Sequence, residues 1–316
     1  MAILTISETA EFLALHDNYT ILTHRRPDGD TLGSAALLCR GLRQMGKTAH
    51  ILDNPETTPK YTFLTDGLTK VRPQEGDTLV CVDLATASML PKGFENLADK
   101  IALRIDHHRN ETPWTTHELV DPISAACGQL IYWVFLQLGV KLDIDMAHAL
   151  YTALATDTGC FRFANAQPQT YETAAACARV TPYLRELNHT LFGTVSLARL
   201  RIQGWIVENS LFLHGGKVCI CPIPKEVEER IGVTEDDMEN ISGFPRSIEG
   251  VCIAATLRQE GENKVKISVR VDLDYDASII CGKLGGGGHR GAAGASLEMS
   301  MDEAVKTVIA ALPEIN

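Results

Sequence analysis

The fold is decided by residues 19–46, YTILTHRRPDGDTLGSAALLCRGLRQMG. The segment Tyr19–Thr23 has the length and the apolar, β-branched composition that predict a buried β-strand. A polar turn with one histidine and two aspartates follows, and the apolar spacing from Leu32 to Met45 then predicts a helix that is closed by Gly46. A buried strand, a polar turn and a helix in direct succession are typical of a parallel sheet in an α/β domain.

Similar strand-like runs lie on either side of further helical patterns. They cover Thr48–Leu52, Thr78–Leu84 and Lys100–Asp106, and the capping box Thr5 to Glu8 predicts an earlier helix. From residue 122 to residue 210 the periodicity is helical almost throughout. The N-terminal part of the chain is therefore predicted to be an α/β domain, a parallel sheet with helices on both faces.

The pattern changes after residue 210. Short apolar runs are separated by turns at Gly215-Gly216 and at residues 260–263, which predicts β-hairpins, and a last helix is expected near residues 302–312. This part is predicted to be a smaller, mixed α+β domain. The expected organisation is a first domain at residues 1–190, a connecting helix at 191–210 and a second domain at 211–316.

Composition and charge exclude several classes of protein. The 316 residues are 45% hydrophobic and 22% charged, as in soluble globular proteins. The net charge of −11 disfavours the capture of long duplex nucleic acid. The longest apolar run, Leu130–Leu136, is too short to span a membrane, and no signal peptide is recognised. Nine cysteines without a C-x-x-C pair are typical of a reduced, cytoplasmic protein.

Polar side chains follow three of the predicted strands where those strands end. The carboxyl ends of parallel strands meet at one edge of a sheet, which is where α/β proteins bind ligands. Taken singly, each side chain also fits a simpler role, since Asp-Gly-Asp is a common turn and Asp83 could cap a helix. Their combination favours a metal site. The candidate ligands are His24, Asp28, Asp30, Asp83, His107 and Asp157.

This mixed set of carboxylates and imidazoles is large enough for two divalent ions if Asp83 bridges them. Oxygen and nitrogen donors favour Mn²⁺, with Mg²⁺, Co²⁺ or iron as alternatives, whereas a structural zinc site would more often recruit cysteine. A pair of such ions is the usual arrangement for the hydrolysis of phosphoesters. The sequence therefore predicts a hydrolase with a dinuclear metal site.

These motifs resemble the DHH phosphoesterase superfamily. Asp106-His107-His108 matches its name-giving motif, Thr23–Ser34 reads T-H-x-x-P-D-G-D-x-x-G-S, and Asp83 and Asp157 fall in its remaining two motifs. Residues 285–290, GGGGHR, are followed by GAAGA and look like the signature of the C-terminal domain in one branch. Bacterial oligoribonucleases that also hydrolyse 3′-phosphoadenosine 5′-phosphate (pAp) belong to that branch.

The resemblance implies a role for each matching position. It assigns the six candidate ligands to the metal ions, Asp106 to the support of its neighbours, and His108 to the vicinity of the scissile phosphate. Arg109 follows the histidine pair and is expected to contact phosphate as well. In the second domain the expected substrate contacts are Arg270, Gly286, Gly287, Gly288, His289 and Arg290.

The glycine run at residues 285–288 also fits other interpretations. Gly286-x-Gly288-x-x-Gly291 also satisfies the dinucleotide-binding pattern, but the preceding residues read as a helix rather than a strand, so that interpretation is rejected. A flexible turn remains an alternative to an anion-binding backbone. Val271 stands where this branch commonly has serine, which removes one hydroxyl from the expected substrate contacts.

The expected function is a metal-dependent phosphoesterase that degrades short oligoribonucleotides to mononucleotides and converts pAp to AMP. Two other reactions remain open: the hydrolysis of linear or cyclic dinucleotides such as pGpG and pApA, and the hydrolysis of pyrophosphate, which the GGGGHR stretch disfavours. A module that senses nucleotides without turnover is an alternative of another class. The sequence leaves a homodimer open.

Overall fold

A computed structural model of the chain describes residues 2–108, 112–272 and 274–315. These residues form two units, which divide between Thr194 and Val195. Each unit has its own β-sheet and its own hydrophobic clusters.

The first unit is built on a parallel sheet. Its strands are β1 (Ala2–Ile3), β2 (Tyr19–Leu22), β3 (Ala49–Leu52), β4 (Thr69–Lys70), β5 (Thr78–Val82), β6 (Ile101–Asp106) and β7 (His117–Val120). They lie in the order β1-β7-β6-β5-β2-β3-β4, and every pair is parallel. The sequence pattern predicts β2, β3, β5 and β6. It misses β1 and β4, which have only two residues each, and β7, whose sequence HELV begins with two polar residues and gives no continuous apolar run.

The α-helices of this unit lie on one face of the sheet, and short 3₁₀ segments lie on the other. The α-helices are α1 (Ile6–Leu15), α2 (Gly29–Gln44), α3 (Thr62–Thr65), α4 (Cys127–Leu138), α5 (Ile144–Asp157), α6 (Pro168–Val180) and α7 (Leu184–Asn188). Side chains of α1, α2, α4 and α5 share one large cluster with one face of the central strands. The other face packs against a smaller cluster that includes the short 3₁₀ segments Ala87–Met89 and Glu95–Lys100. The predicted α/β class is confirmed.

Helix α2 begins at Gly29 and not at the predicted Leu32. The reason is a cap: Oδ1 of Asp28 accepts hydrogen bonds from the backbone N–H of Asp30 (3.0 Å) and of Thr31 (3.1 Å). A Cβ atom on Gly29 would lie 2.4 Å from Cγ2 of Thr156, so only glycine fits at this first helical position. As a result, Asp28 is the N-cap of α2 and Asp30 lies in its first turn.

Strands β6, β5 and β2 are neighbours at the centre of the sheet. Their carboxyl ends lead into Asp106, Asp83 and the turn that starts at Thr23, respectively. Because the strands are parallel, these three chain segments meet at one edge of the sheet, as the sequence predicts.

The second unit contains a mixed sheet. Its strands are β8 (Leu211–Leu213), β9 (Val218–Ile223), β10 (Ile253–Gly261), β11 (Lys264–Val271), β12 (Gly287–His289) and β13 (Ala292–Leu297). They lie in the order β12-β13-β11-β10-β9-β8, and only β9 and β10 pair in parallel among the described residues. The predicted hairpins correspond to β8-β9 and β10-β11.

Five helices pack on this sheet. They are α8 (Leu197–Asn209), α9 (Lys225–Ile231), α10 (Glu235–Met238), α11 (Ala277–Lys283) and α12 (Met301–Ala311). The first three share a cluster with Cys219, Cys221 and Ala254, and the last two share a cluster with the opposite face of the sheet. Among the described residues, we find no helix with the length and hydropathy needed to cross a lipid bilayer.

Candidate metal centre

Two histidine rings at the sheet edge are oriented by backbone oxygens. Nδ1 of His24 lies 2.7 Å from the carbonyl oxygen of Arg25, and Nδ1 of His107 lies 3.1 Å from that of Ser124. A carbonyl oxygen only accepts hydrogen bonds, so each Nδ1 carries a proton and donates it. In both rings Nε2 is the atom left to bind a metal, and this is the arrangement usual for histidine ligands.

The first ligand cluster surrounds His24. Its Nε2 atom lies 3.7 Å from Oδ1 of Asp28 and 3.5 Å from Oδ2 of Asp83. One ligand atom from each of these three residues lies within 4.8 Å of the other two. The turn after β2 and the end of β5 thus supply one potential metal site.

The second ligand cluster surrounds His107. Its Nε2 atom lies 3.5 Å from Oδ1 of Asp83 and 3.6 Å from Oδ2 of both Asp30 and Asp157. Asp83 therefore presents one carboxylate oxygen to each cluster. All six candidate ligands come together at this edge of the sheet, and the arrangement has room for two ions that share Asp83.

The backbone of Asp83 is held in an unusual conformation. Its φ of 54° lies in the left-handed region, which is uncommon for a residue with a side chain. The side chain is buried, and the backbone N–H donates to the carbonyl oxygen of Ile105 on β6 (3.0 Å). Such strain persists only where surrounding structure enforces it, and it is concentrated at functional sites.

Two buried atoms of the cluster lack a hydrogen-bond partner within the described part of the chain, Oδ1 of Asp83 and Nε2 of His107. They face each other at 3.5 Å, too far for a good hydrogen bond. Two atoms that each bind one ion at about 2.1 Å lie roughly 3.0–3.5 Å apart. The geometry and the donor types therefore fit a divalent ion.

The concentration of carboxylates at the site also favours bound cations. Burial raises the pKa of Asp157 to about 6, and burial together with the nearby Asp83 raises the pKa of Asp30 well above its usual range. Burial disfavours charge on the two imidazoles, yet the surrounding carboxylates outweigh it and raise the pKa of His24 to about 11 and that of His107 to about 10. Negative charge is concentrated here, and divalent ions would balance it in place of protons.

Asp30 is held by the first turns of two helices. Its Oδ1 accepts hydrogen bonds from Oγ of Ser34 (2.8 Å) and from the backbone N–H of Gly128 (3.2 Å), while Oδ2 accepts from the N–H of Cys127 (2.7 Å). Cys127 and Gly128 open α4, where unpaired N–H groups favour a negative charge. These contacts fix the carboxylate before any metal binds.

Asp106 does not lie among the Nε2 partners but orients His108. Its Oδ1 accepts from the backbone N–H and from Nδ1 of His108, both at 2.9 Å. Its Oδ2 accepts from Nη2 of the fully buried Arg104 (2.6 Å), whose Nη1 donates to Glu118 on β7 (2.9 Å). The His108 side chain is 43% exposed and can meet a substrate. Arg109, the other residue expected here, lies outside the described residues.

Sequence reasoning missed three residues of this support. Arg104 and Glu118 form a buried ion-pair cluster with Asp106, and a charged residue within an apolar strand was the available signal. Asn165 donates from Nδ2 to the carbonyl oxygens of Asp157 (3.1 Å) and Ala125 (3.3 Å). These two bonds connect the end of α5 to the segment that precedes α4. A single asparagine in a loop gives no such signal.

Two of the expected substrate residues of the second unit, Arg270 and His289, lie in one row across its sheet. Arg270 on β11 pairs with Ala292 on β13, and Ala292 pairs with His289 on β12. Residues directly opposite each other in antiparallel strands point to the same face. Arg270 and His289 are therefore on one face, separated by a small alanine side chain.

The glycines of this region are needed for strand pairing. A Cβ atom on Gly286 would lie 2.1 Å from the carbonyl oxygen of Gly294, and one on Gly288 would lie 2.6 Å from Cα of Ala293. Gly287 lies between them in β12, and Arg290 follows the strand and donates from Nε to the carbonyl oxygen of Tyr275 (3.4 Å). The run forms a sheet edge and not the flexible turn that the sequence left open.

Comparison with known proteins gives a consistent result over both units. Residues 18–156 match the family described as "DHH family, N-terminal domain", and residues 215–314 match the DHHA1 domain. The ligand clusters lie in the first match or directly after it. Arg270 and His289 lie in the second match.

Several relatives cover nearly the whole chain. A protein of Thermus thermophilus named bifunctional oligoribonuclease and PAP phosphatase NrnA is 34% identical over 93% of this chain and 89% of its own length. The protein of that name from Bacillus subtilis is 27% identical over 94% of this chain and 95% of its own length. The crystal structure of an exopolyphosphatase-related protein from Bacteroides fragilis has the same fold, with a TM-score of 0.86, 23% identity and coverage of 97% and 94% of the two chains.

Proposed function

Because this chain belongs to the DHH family, we propose that it is a metal-dependent phosphoesterase with two activities. It hydrolyses short oligoribonucleotides to mononucleotides, and it removes the 3′-phosphate of pAp to give AMP. The names of the relatives from Thermus thermophilus and Bacillus subtilis support both activities.

The observation that carries this proposal is the position of Asp83. One buried carboxylate presents its two oxygens to two separate histidines, each of which has further carboxylates around it. A structural cap or a single ion pair would not need this arrangement. A pair of divalent ions needs a ligand that both ions share, and phosphoester hydrolysis commonly uses such a pair.

The ions would be held by His24, Asp28 and Asp83 on one side and by Asp30, His107, Asp157 and Asp83 on the other. When bound, they would stabilise charge on the phosphoryl oxygens and make an attacking water more nucleophilic at neutral pH.

His108 has a different role. Asp106 and then Asp83 raise its pKa to about 11, and Asp106 fixes its ring by Nδ1. The partly exposed imidazolium can donate to a phosphoryl oxygen, and we assign Arg109 to the same phosphate.

We assign the grip on the rest of the substrate to the second unit. Arg270 and His289 flank Ala292 on one face of the sheet, and both can donate to a second phosphate or to a ribose. Arg290 and the backbone of residues 286–288 complete the proposed contact surface. The missing hydroxyl at Val271 predicts one contact fewer than in relatives with serine there.

Mn²⁺ is the proposed ion, with Mg²⁺ or Co²⁺ as substitutes, since the ligands are carboxylates and imidazoles only. We place the enzyme in the cytoplasm, because all nine cysteines are unpaired. The net charge of −11 supports short substrates and not long duplexes, since a short oligomer presents few phosphates for electrostatic capture.

A substrate panel tests the function. The protein, freed of metal and then loaded with Mn²⁺, is incubated with pAp, labelled di- and pentanucleotides, a long RNA, pGpG, pApA, cyclic dinucleotides and pyrophosphate. We expect release of mononucleotides from the short RNAs, release of phosphate from pAp, and no turnover in the presence of a chelator.

The panel also separates the alternatives. Turnover confined to pGpG, pApA or cyclic dinucleotides would replace the proposal by a dinucleotide phosphodiesterase. Turnover of pyrophosphate alone would indicate a pyrophosphatase. Binding of nucleotides without turnover, under every divalent ion, would indicate a sensing module.

The His289→Ala variant tests the role of the second unit. A hydrogen bond to a charged phosphate contributes about 1.5–3 kcal/mol, so we expect KM for pAp to rise about 10- to 100-fold while kcat changes less than about threefold. The matched control is His214→Ala, which removes another exposed histidine of the same unit. An unchanged KM in His289→Ala would remove this residue from the substrate site.

A further inference from the structure

The loop that follows α5 has an unusual backbone. The candidate ligand Asp157 is the last residue of α5. Shortly after it, Gly159, Cys160 and Phe161 have φ values of 56°, 58° and 62°. Residues with side chains usually visit this left-handed region one at a time, because their Cβ atoms crowd the next carbonyl oxygen. Three such residues in succession form a conformation that the surrounding structure must enforce.

The end of the helix explains only the first of these three residues. The backbone N–H of Gly159 donates to the carbonyl oxygen of Thr156 (3.2 Å). The N–H of Cys160 donates to the carbonyl oxygen of Ala155 (2.6 Å). This pair of bonds is the usual helix end with a left-handed glycine. Cys160 and Phe161 remain left-handed beyond what that helix end requires.

Side-chain contacts hold the loop in this shape. The Phe161 ring packs against Tyr151 and Tyr171, with ring centroids 5.7 Å and 5.6 Å away. Nε of Arg162 donates to the carbonyl oxygen of Gly159 (2.6 Å). These contacts anchor the loop to the first unit, so a side chain further along the loop has a defined position.

Phe163 presents its ring to solvent beside the end of α5. The residue is 57% exposed. The far end of its ring nevertheless lies against Gly159, because a Cβ atom on this glycine would lie 2.4 Å from Cζ of Phe163. Gly159 is only two residues after Asp157, which belongs to the second ligand cluster. An apolar ring thus has a fixed place next to the metal centre, although more than half of its surface faces water.

A nucleobase is the ligand that fits this ring. Nucleobases are flat, and aromatic side chains bind them by stacking, with little dependence on which base is present. The Cα atom of Gly159 is at most about 7.6 Å from that of Asp157, since consecutive Cα atoms are 3.8 Å apart. A nucleotide whose phosphate binds at the metal centre has its base one ribose away, which is a comparable span.

We propose that Phe163 is the stacking surface for the nucleobase of the nucleotide whose phosphate binds at the metal centre. This inference rests on the proposed function and extends it, because it assigns a base contact to the first unit. Stacking accepts every base and is strongest for the larger ones. The expected specificity is therefore broad, with a preference for purines.

A substrate without its base tests the contact. Initial rates of the Mn²⁺-loaded protein are measured with pAp and with the analogue in which hydrogen replaces the adenine. In Phe163→Ala we expect kcat/KM for pAp to fall about 5- to 50-fold, mainly through KM. For the analogue, kcat/KM should change less than about twofold. The preference for pAp over the analogue should therefore shrink by about 5- to 50-fold.

Two further variants serve as controls. Phe163→Trp keeps a flat aromatic surface and should retain kcat/KM for pAp to within about threefold. Tyr183→Ala removes an aromatic residue of similar exposure (52%), which contacts His148 near the start of α5. His148 is roughly 13–14 Å before Asp157 along the helix, so this variant should leave the rates with both substrates unchanged. Both sites are exposed, so the melting temperatures of all variants should match.

The outcomes separate this inference from the proposed function. An unaltered protein that does not hydrolyse pAp would overturn the proposed function, and the preference for pAp over the analogue is then taken from dissociation constants measured by calorimetry. A preference that Phe163→Ala leaves unchanged would overturn the base contact. An equal loss with both substrates would show that the ring supports the loop beside Asp157 instead.

Discussion

Replacing Asp83 by alanine should abolish hydrolysis, with a fall in kcat/KM for pAp of at least about 10³-fold. The reason is the shared position of this carboxylate. Its two oxygens lie 3.5 Å from Nε2 of His24 and 3.5 Å from Nε2 of His107, so its loss removes one ligand from each ion. Among the described candidate ligands, only Asp83 lies within 4 Å of Nε2 of both His24 and His107.

Initial rates with pAp and elemental analysis of the dialysed protein measure the effect. We expect the bound Mn²⁺ to fall from two ions per chain to one or none. The matched control is Asp53→Ala, because Asp53 is an exposed carboxylate that directly follows β3, a neighbour of β2 in the same sheet. Wild-type turnover or two retained ions in Asp83→Ala would show that this carboxylate does not bridge the clusters.

Arg104→Met should lower the free energy of unfolding of the first unit by about 3–5 kcal/mol. The guanidinium of Arg104 is fully buried and pairs with Asp106 (2.6 Å) and Glu118 (2.9 Å), which are buried as well. Methionine matches the length of the side chain but leaves two buried carboxylates without a cation. Activity should fall too, because Asp106 orients His108.

Urea denaturation of the metal-free protein measures this change. The control is Arg40→Met, which breaks a pair of 2.9 Å with Asp145, whose side chain is 60% exposed. A pair in contact with water contributes at most about 1 kcal/mol. A loss below about 1 kcal/mol in Arg104→Met would mean that the buried cluster does not stabilise the fold.

Much of the metal centre could be predicted from local sequence. The candidate ligands His24, Asp83 and His107 follow apolar strands within two residues, Asp28 and Asp30 start the next helix, and Asp157 ends an apolar helix. The carboxyl ends of parallel strands meet at one edge of a sheet, which brings these segments together. The predicted fold class and the predicted family are confirmed for the same reason, since both depend on residues that are close in sequence.

Long-range contacts could not be predicted in this way. Asn165 links Asp157 to Ala125, next to the carbonyl group that orients His107. Glu118 completes the cluster of Arg104 from β7, whose sequence HELV lacks a continuous apolar run. The glycines at β12 were expected to let an anion approach the backbone. The structure shows that their lack of a side chain lets this segment lie close to β13. Each of these contacts joins residues that are separated in the sequence, and no local pattern indicates that they pair.

The sequence by itself determined the α/β class and the two-part organisation of the pattern, and it identified the six candidate metal ligands, because periodicity and residue chemistry are local properties of a chain. Only the tertiary structure decided that Asp83 serves both histidines, that Nε2 is the free nitrogen of each ring, and that Phe163 remains exposed beside the end of α5. These features depend on distances and on solvent exposure, and both are set by how separate elements pack against one another.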